Sequence, residues 1–510
     1  MRIYDKHDWL IALAAILIIL FLGACSLTVG LPFWGDDSAA YINEGISIAD
    51  GSFKQQIELN YYYHPTDIPD EASDKGYIVY VWGYPLILSV IFKLFGFNFN
   101  NIVLYKLPSL LCLSLTAGVL VLFFRRRFSI ALSFVISLLF CLSADVFISI
   151  NYLYSDLVFL FFTCFAFLLM EWLSDISDKE KHSWLIALLY SLTLWMTYET
   201  RLSGFAVVVV AFLGHSIDFA INGSKNRKFF LLNFSPYFFT GIMILITERL
   251  ILAPATQNIS DMSTKFDRSV NVFYYYKLFG NYFDRIAGAG IIVFVLFLIG
   301  FVTSGFKRQN IYLTLFVVGT MIVNVNLPYI QGMRYIFNIL PFVLMYAGYG
   351  LSLLAVLTFK LFKNFESKGT VKPFDKMKES TIKKAVLICF SAFVIAFSCV
   401  YPVRVVINNI THWGEKKETD VYSSNALDVY QYIMDNTSED CVIAFYKPRS
   451  LYLNTKRKSF RLGVNGHVID EADYYLRYKL AALNSNDDNM EITNGDIVYD
   501  NSAFTLYRLR

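Results

Sequence analysis

The chain is poor in charge: of its 510 residues only 17% are Asp, Glu, Lys or Arg, against about 25% in a soluble globular protein. So little polar side chain cannot wet the surface around a fold whose residues are 56% hydrophobic and 17% aromatic. Cysteine is scarce too. Of the seven, all but Cys441 lie within or beside apolar runs, which excludes a disulfide scaffold and suits small buried hydrophobes. With 12 prolines and 27 glycines there is no collagen-like or low-complexity segment, and no internal repeat is apparent. Disorder is excluded by the same composition. The net charge of +3 says little until its distribution is followed along the chain.

What the sequence has in quantity is long apolar runs. Stretches near the length of a hydrocarbon core recur about eleven times, at residues 9–31, 102–124, 128–148, 153–172, 184–197, 202–221, 229–252, 287–306, 311–327, 335–359 and 385–401. Most are apolar on every face, as lipid-bathed or fully buried helices must be. Residues 82–97, with Pro85 and Lys93, are too short to cross comfortably and read as a helix lying at the interface or re-entering. Leaving that segment out puts Arg125, Arg126 and Arg127, Lys307 and Arg308, and the lysines between Lys360 and Lys384 on one side with the N-terminus. That side holds about 20 basic residues against roughly 11 opposite, so it is the cytoplasmic side. Leu22-Gly23-Ala24-Cys25 resembles a lipoprotein cleavage box, but the apolar run continues beyond it, as a spanning helix requires.

The expected fold is therefore an α-helical polytopic bundle with a small external C-terminal α/β domain, in the inner (plasma) membrane with the N-terminus inside. Residues 1–32 hold the first transmembrane helix, 33–101 an external loop with juxtamembrane helices, 102–401 the rest of the bundle and 402–510 the external domain. In the last of these, residues 426–434 have helical spacing, while 441–446, 496–499 and 504–509 read as strands.

Ionisable groups near a bilayer are costly and concentrate at functional sites or helix ends. On this topology Asp36, Asp37, Asp145, Asp156, Glu199, Arg201, Glu248, Arg249 and Arg334 all fall at the external ends of the spans. No file of acids runs through the bilayer centre. That disfavours an ion pathway and points to a site at the outer surface, where a lipid head group lies.

The external segment Trp34-Gly35-Asp36-Asp37-Ser38-Ala39-Ala40-Tyr41 resembles the first-loop signature of the C-superfamily glycosyltransferases, which include protein O-mannosyltransferases and the lipid A aminoarabinose transferase. Gly83-Tyr84-Pro85-Leu86 is similar to the family's second juxtamembrane element, Tyr154-Ser155-Asp156 to its acidic position in the second external loop, and Arg334-Tyr335 with Leu340-Pro341 to its late Arg-Tyr…Pro element. The resemblance implies an enzyme that moves a sugar from a polyprenyl phosphate to an acceptor hydroxyl on a glycan, lipid or protein, metal-assisted in some relatives. Nucleic acid is not an expected partner. A carboxylate must take the acceptor proton, and Asp37 is the candidate, its pKa expected to be raised by partial desolvation and the neighbouring acid. Asp156 is expected to orient the acceptor or support Asp37. The departing phosphate needs cations, and Arg suits it by forked donation; Arg201 and Arg334 are the candidates. Asp36, Tyr41, His64, Lys75 and Glu199 are candidate supporting residues, with His64 also a candidate ligand of a divalent metal.

Blander readings stand beside these. Asp36 and Asp37 also fit a helix cap, Asp156 a favourable helix-dipole position, and Arg201 an interfacial ion pair with Glu199 or the Glu248-Arg249 pair. Lys456-Arg457-Lys458 with Arg461 reads as a solvated basic face, or else a lipid-phosphate contact. No Pro-linked acid–lysine pair matches the aminoarabinose transferases, and Asp36-Asp37 stands where the mannosyltransferases carry Asp-Glu. Two other classes share part of the pattern. A lipid-linked-sugar flippase or transporter should show inverted repeats and midplane polar groups, which are not found. A polysaccharide polymerase or ligase would share the outer arginines.

Overall fold

The computed structural model describes residues 4–30, 36–63, 80–175, 183–222, 227–247, 268–283, 289–326, 332–367, 400, 403–408, 411, 422–462, 469–479 and 495–510. Its helices in the N-terminal half are α1 (Lys6–Ser26), α2 (Asp36–Asp50), α3 (Phe53–Tyr63), α4 (Gly83–Phe95), α5 (Ile102–Arg125), α6 (Ile130–Cys141), α7 (Ala144–Ile148), α8 (Asp156–Asp175) and α9 (Ser183–Thr200). The bundle continues with α10 (Gly204–Asn222), α11 (Arg227–Leu245), α12 (Arg268–Phe283), α13 (Ala289–Ser304), α14 (Ile311–Asn326) and α15 (Leu340–Ser367).

The first helix shows how the bundle is assembled. It starts with a reciprocal capping box between Asp5 and Asp8. One face, Ala12, Ala15, Ile19 and Gly23, is buried, while Leu10, Leu13, Leu17 and Phe21 stand exposed. A helix with so many exposed large apolar side chains needs an apolar solvent. It packs antiparallel on α5, and polar contacts fix both ends of the pair. At one end Arg125 meets Asp8 at 2.5 Å. At the other the fully buried Lys106 donates to the carbonyls of Thr28 (2.7 Å) and Gly30 (2.5 Å), in the segment that follows α1. The chain is thereby aimed before it enters α2.

The bundle core is aromatic where α5, α8, α14 and α15 meet. Phe342 lies within 5.6–5.9 Å of the rings of Phe123, Phe167 and Phe316, edge to face, an arrangement the ring quadrupoles favour. Helices α13 and α15 approach through glycine: a Cβ on Gly300 would stand 1.7 Å from the Tyr346 carbonyl oxygen, and one on Gly350 2.1 Å from that of Leu296. Small residues at crossings are how helices associate where lipid is as apolar as leucine.

Among the described residues five helices, α1, α5 with the turn before it, α8, α10 and α15, are long and apolar enough to cross a membrane. Helices α6 and α7 together make a sixth, broken by 59°, where one continuous span is expected at residues 128–148. Helices α4, α11, α13 and α14 are shorter apolar helices. α4, at 13 residues, has the insufficient length expected of it. α9 is not among these sets, since its Ser, Thr, Tyr and Glu residues lower its hydropathy. The expected span at 385–401 falls almost wholly outside the described residues. Helix α12, whose aromatic and polar sequence has no long apolar run, is absent from the sequence expectations. Among the described residues the five cysteines are free.

Beyond the bundle come α16 (Ser424–Asn436), β1 (Val442–Ala444), α17 (Pro448–Thr455), β2 (Lys458–Phe460), β3 (Tyr474–Tyr478), β4 (Asp496–Asp500) and β5 (Phe504–Arg508). They form a mixed sheet ordered β2-β1-β3-β5-β4, with β1 parallel to both neighbours and β5 antiparallel to β3 and β4. The expected helix and strands are present; β2 and β3, short or rich in Tyr and Arg, were not among them. Arg457 corrects the reading of the basic run as a solvated face. It is 7% exposed and donates to the carbonyls of Met434 (3.1 Å) and Thr437 (3.0 Å), closing the C-terminal end of α16.

The glycine crossing yields a stability prediction. Gly300→Leu should destabilise the protein by about 1–3 kcal/mol, the usual cost of overpacking. It should appear as a lowered thermal midpoint in detergent, whereas Gly241→Leu, with nothing within 4 Å of its Cβ position, should leave the midpoint nearly unchanged.

Candidate active site

Four acidic and basic side chains from separate elements meet at one end of the bundle. Asp37 occupies the first turn of α2 and Asp156 the first turn of α8, positions where the helix dipole favours a carboxylate. Arg201 follows α9, and Arg334 sits in the 3-10 turn Met333–Ile336 that leads to α15. Arg334 lies between the two acids, its Nη2 3.2 Å from Asp37 and its Nε 3.8 Å from Asp156. Asp156 in turn accepts from Arg201. The result is a chain of alternating charge, Asp37–Arg334–Asp156–Arg201.

Aromatic rings hold this chain in place. The Arg334 guanidinium lies 4.2 Å from the ring centroid of Tyr154, and that of Arg201 4.6 Å from Tyr335, both within cation–π range. The Tyr80 hydroxyl donates to Asp37 at 2.7 Å, and Tyr80 stacks on Tyr41 at 4.3 Å. Tyr41 shares a 2.9 Å hydrogen bond with Ser155, next to Asp156. Asp37 is about a third open (36%), whereas Asp156 is 5% exposed. The end of the chain that meets solvent is therefore Asp37 with Arg334.

The electrostatics correct one expectation. Burial does work to raise the pKa of Asp37, but the Tyr80 hydrogen bond and the charges of Arg334 and Arg449 outweigh it, and the carboxyl lies below its ordinary value. The adjacent acid does not reverse this, because its own contacts lie elsewhere. Arg334 loses some basicity to burial, yet Asp156 and Asp37 more than restore it, so it stays charged. Burial, opposed by Arg334, pushes the Tyr154 hydroxyl up to about 12.

Asp36 faces the C-terminal sheet domain. It accepts from the backbone N–H of Ser450 at 3.0 Å, from the Ser450 hydroxyl at 3.2 Å and from the Arg449 N–H at 3.4 Å. It thus caps α17 from another part of the chain. Asn43 donates to the Arg449 carbonyl at 3.2 Å on the same face of α2. These contacts bring Lys447 and Arg449 toward the acids; burial lowers the Lys447 pKa, opposed by Asp36 and Asp37. Sequence reading missed Tyr80, Lys447 and Arg449, and marked Tyr335 only as part of the Arg-Tyr…Pro element. Only the aromatic richness of the first loop hinted at Tyr80, and nothing local marks residues some 400 positions away.

Glu199 does not complete the charge chain as an ion-pair partner in the way its spacing to Arg201 suggested. It accepts from the Trp195 indole at 3.1 Å and the Thr247 hydroxyl at 2.5 Å, while Arg201 takes Asp156. His64, Lys75, Glu248 and Arg249 lie outside the described residues. No group of three or more His, Cys, Asp or Glu side chains suited to a metal ion exists among the described residues. Asp37 and Asp156 are bridged by a guanidinium, so this donor set does not fit a divalent cation.

Comparison with known proteins places this geometry in a fold. No family model and no curated protein sequence matches the chain. Solved structures do. ArnT from Cupriavidus metallidurans bound to undecaprenyl phosphate matches with a TM-score of 0.55 at 11% identity, over 99% of this chain and 98% of that one. The oligosaccharyltransferase AglB from Archaeoglobus fulgidus, in complex with an inhibitory peptide and a dolichol-phosphate, matches with 0.52 at 10% identity, over 92% and 69%. The oligosaccharyltransferase of the same archaeon complexed with zinc and sulfate gives 0.55 at 10%, over 91% and 68%. Over nearly its whole length the chain is structurally similar to these C-superfamily membrane glycosyltransferases.

The capping contact yields a prediction. Asp36→Ala should cost about 0.5–2 kcal/mol, as lost N-caps do. Hydrogen exchange at the Arg449 and Ser450 amides should accelerate selectively, leaving amides in α5 protected.

Proposed function

We propose that this protein is an integral-membrane glycosyltransferase that moves a sugar from a polyprenyl-phosphate donor to an acceptor hydroxyl at the external face, with inversion. The observation that carries the proposal is the Asp37–Arg334 pair, open to solvent and backed by Asp156 and Arg201. Support comes from the likeness to a fold whose solved members include one bound to undecaprenyl phosphate and one bound to a dolichol-phosphate. The distribution of basic loop residues supports a cytoplasmic N-terminus and an external C-terminal domain. On this topology α9, α11, α13 and α14 bring the described spans to ten, with local bilayer thinning and snorkelling end residues accommodating the short ones; the eleventh, expected at residues 385–401, lies almost wholly outside the described residues.

The reaction needs three things from the chain. Asp37 accepts the acceptor's hydroxyl proton while the new bond to the anomeric carbon forms. The bond from that carbon to the phosphate oxygen breaks, and the polyprenyl phosphate leaves with the electron pair. Arg334 and the more enclosed Arg201 receive its negative charge. Asp156, nearly buried, holds both guanidinium groups in position. When phosphate engages Arg334, Asp37 loses part of the positive field that depresses its pKa, and its strength as a base rises where it is needed.

The test is release of polyprenyl phosphate from a labelled polyprenyl-phosphate sugar by the purified protein in lipid. Asp37→Asn should lower turnover by roughly 10²–10⁴-fold, the usual contribution of a general base; near wild-type turnover would reject Asp37 as that base. Because its pKa is depressed, the acidic fall of kcat/KM should lie below the ordinary carboxylate range, and not above it as a raised pKa would require. The same sign governs stability: the contribution of Asp37 is present above the unfolded value of about 3.9 and lost as pH drops through the lower folded value.

A further inference from the structure

A second cluster of charge lies at the opposite end of the bundle. Asp156 opens α8 and Asp175 ends it, so at 1.5 Å per residue the two levels are about 30 Å apart, one hydrocarbon thickness. At the Asp175 level a half-open cavity of about 710 Å³ is framed by the turn after α5, the ends of α8 and α10, and the turn before α14. Into it project Arg126, Arg127, Lys307 and Arg308, together with Glu171, Asp175 and Asp218.

Most of this charge is matched. Arg127 and Arg126 share Glu171, Arg126 also pairs with Asp175, and Arg308 pairs with Asp218. Four cations face three carboxylates, leaving a surplus of one positive charge. The surplus falls on the Lys307 side, where the ammonium lies 5.7 Å from the Tyr349 ring centroid and forms no carboxylate pair among the described residues. Next in sequence to lining residues stand exposed large apolar side chains: Phe306, beside Lys307, is 71% exposed and Leu213, beside Gly214, 42%. Loop charge asymmetry accounts for basic residues at this end, but not for their convergence from two turns on a cavity edged by apolar surface.

We propose that this cavity binds the phosphodiester head group of an anionic phospholipid from the leaflet opposite the candidate active site. One surplus cation matches the single charge of a phosphodiester, with Lys307 and Arg308 as its donors. The carboxylates accept from head-group hydroxyls, and the acyl chains leave along the exposed side chains of Phe306 and Leu213. The volume lies in the range of small-ligand sites. The inference goes beyond glycosyl transfer and does not depend on it.

The experiment is native mass spectrometry of the full chain released from detergent in the presence of phosphatidylglycerol. Retention should be roughly tenfold weaker for the double variant Lys307→Gln, Arg308→Gln and unchanged for Lys479→Gln in the sheet domain. A thermal melt checks that the double variant is folded. Should it not fold, Lys307→Gln alone, which removes no ion pair among the described residues, should still weaken retention about threefold. Phosphatidylglycerol held equally well by the variants would overturn the site. Inorganic phosphate or glycerol phosphate displacing the lipid would overturn the lipid assignment in favour of a soluble phosphate ligand.

Discussion

The structure depends on four charges being held together at the edge of an apolar bundle. A carboxylate or guanidinium alone at that depth would be expensive to desolvate. In the sequence Asp37–Arg334–Asp156–Arg201 each inner member has an opposite charge on both sides, and tyrosine rings cover the guanidinium faces. This chain ties α2, the start of α8, the end of α9 and the turn before α15 to one another. Its outer link alone is open to solvent, so a ligand that competes for Arg334 perturbs a network that is otherwise satisfied.

Asp36 and Asp37 show how one turn of helix serves two purposes. Neighbouring residues in an α-helix point about 100° apart. Asp37 therefore faces the charge chain while Asp36 faces away from it and caps α17. The sheet domain is in this way seated on the helix that carries the candidate base. Its Lys447 and Arg449 add positive field to the same acids. The bundle also carries charge at its far end, where α8 finishes among Arg126, Arg127 and Arg308. Both ends obey the same rule: charge is kept at the levels where water or head groups reach it, and the interior between them is filled by rings such as Phe167 and Phe342.

Much of this was legible before any folding is considered. Apolar runs of membrane-spanning length announce helices, because a chain in hydrocarbon must satisfy its backbone internally. The candidate acids and arginines are conspicuous because such groups are costly where they stand, and their order along the chain carried the family resemblance. The spacing of residues 426–434 and the runs near 442, 497 and 505 marked the sheet domain, since local periodicity reflects which face is buried.

What only the tertiary structure decided is pairing. Arg201 lies two residues from Glu199 yet joins Asp156, because the end of α9 turns it toward α8 while Glu199 turns to Trp195 and Thr247. The pKa of Asp37 moves opposite to expectation because hydrogen bonding and field depend on Tyr80, Arg334 and Arg449, all distant in sequence. Arg457 looks like part of a solvated basic run and is instead buried against the end of α16. Residue types and their periodicity determine which segments leave water and which groups are costly to bury. Which partner meets each cost depends on distances between elements, which no local pattern contains.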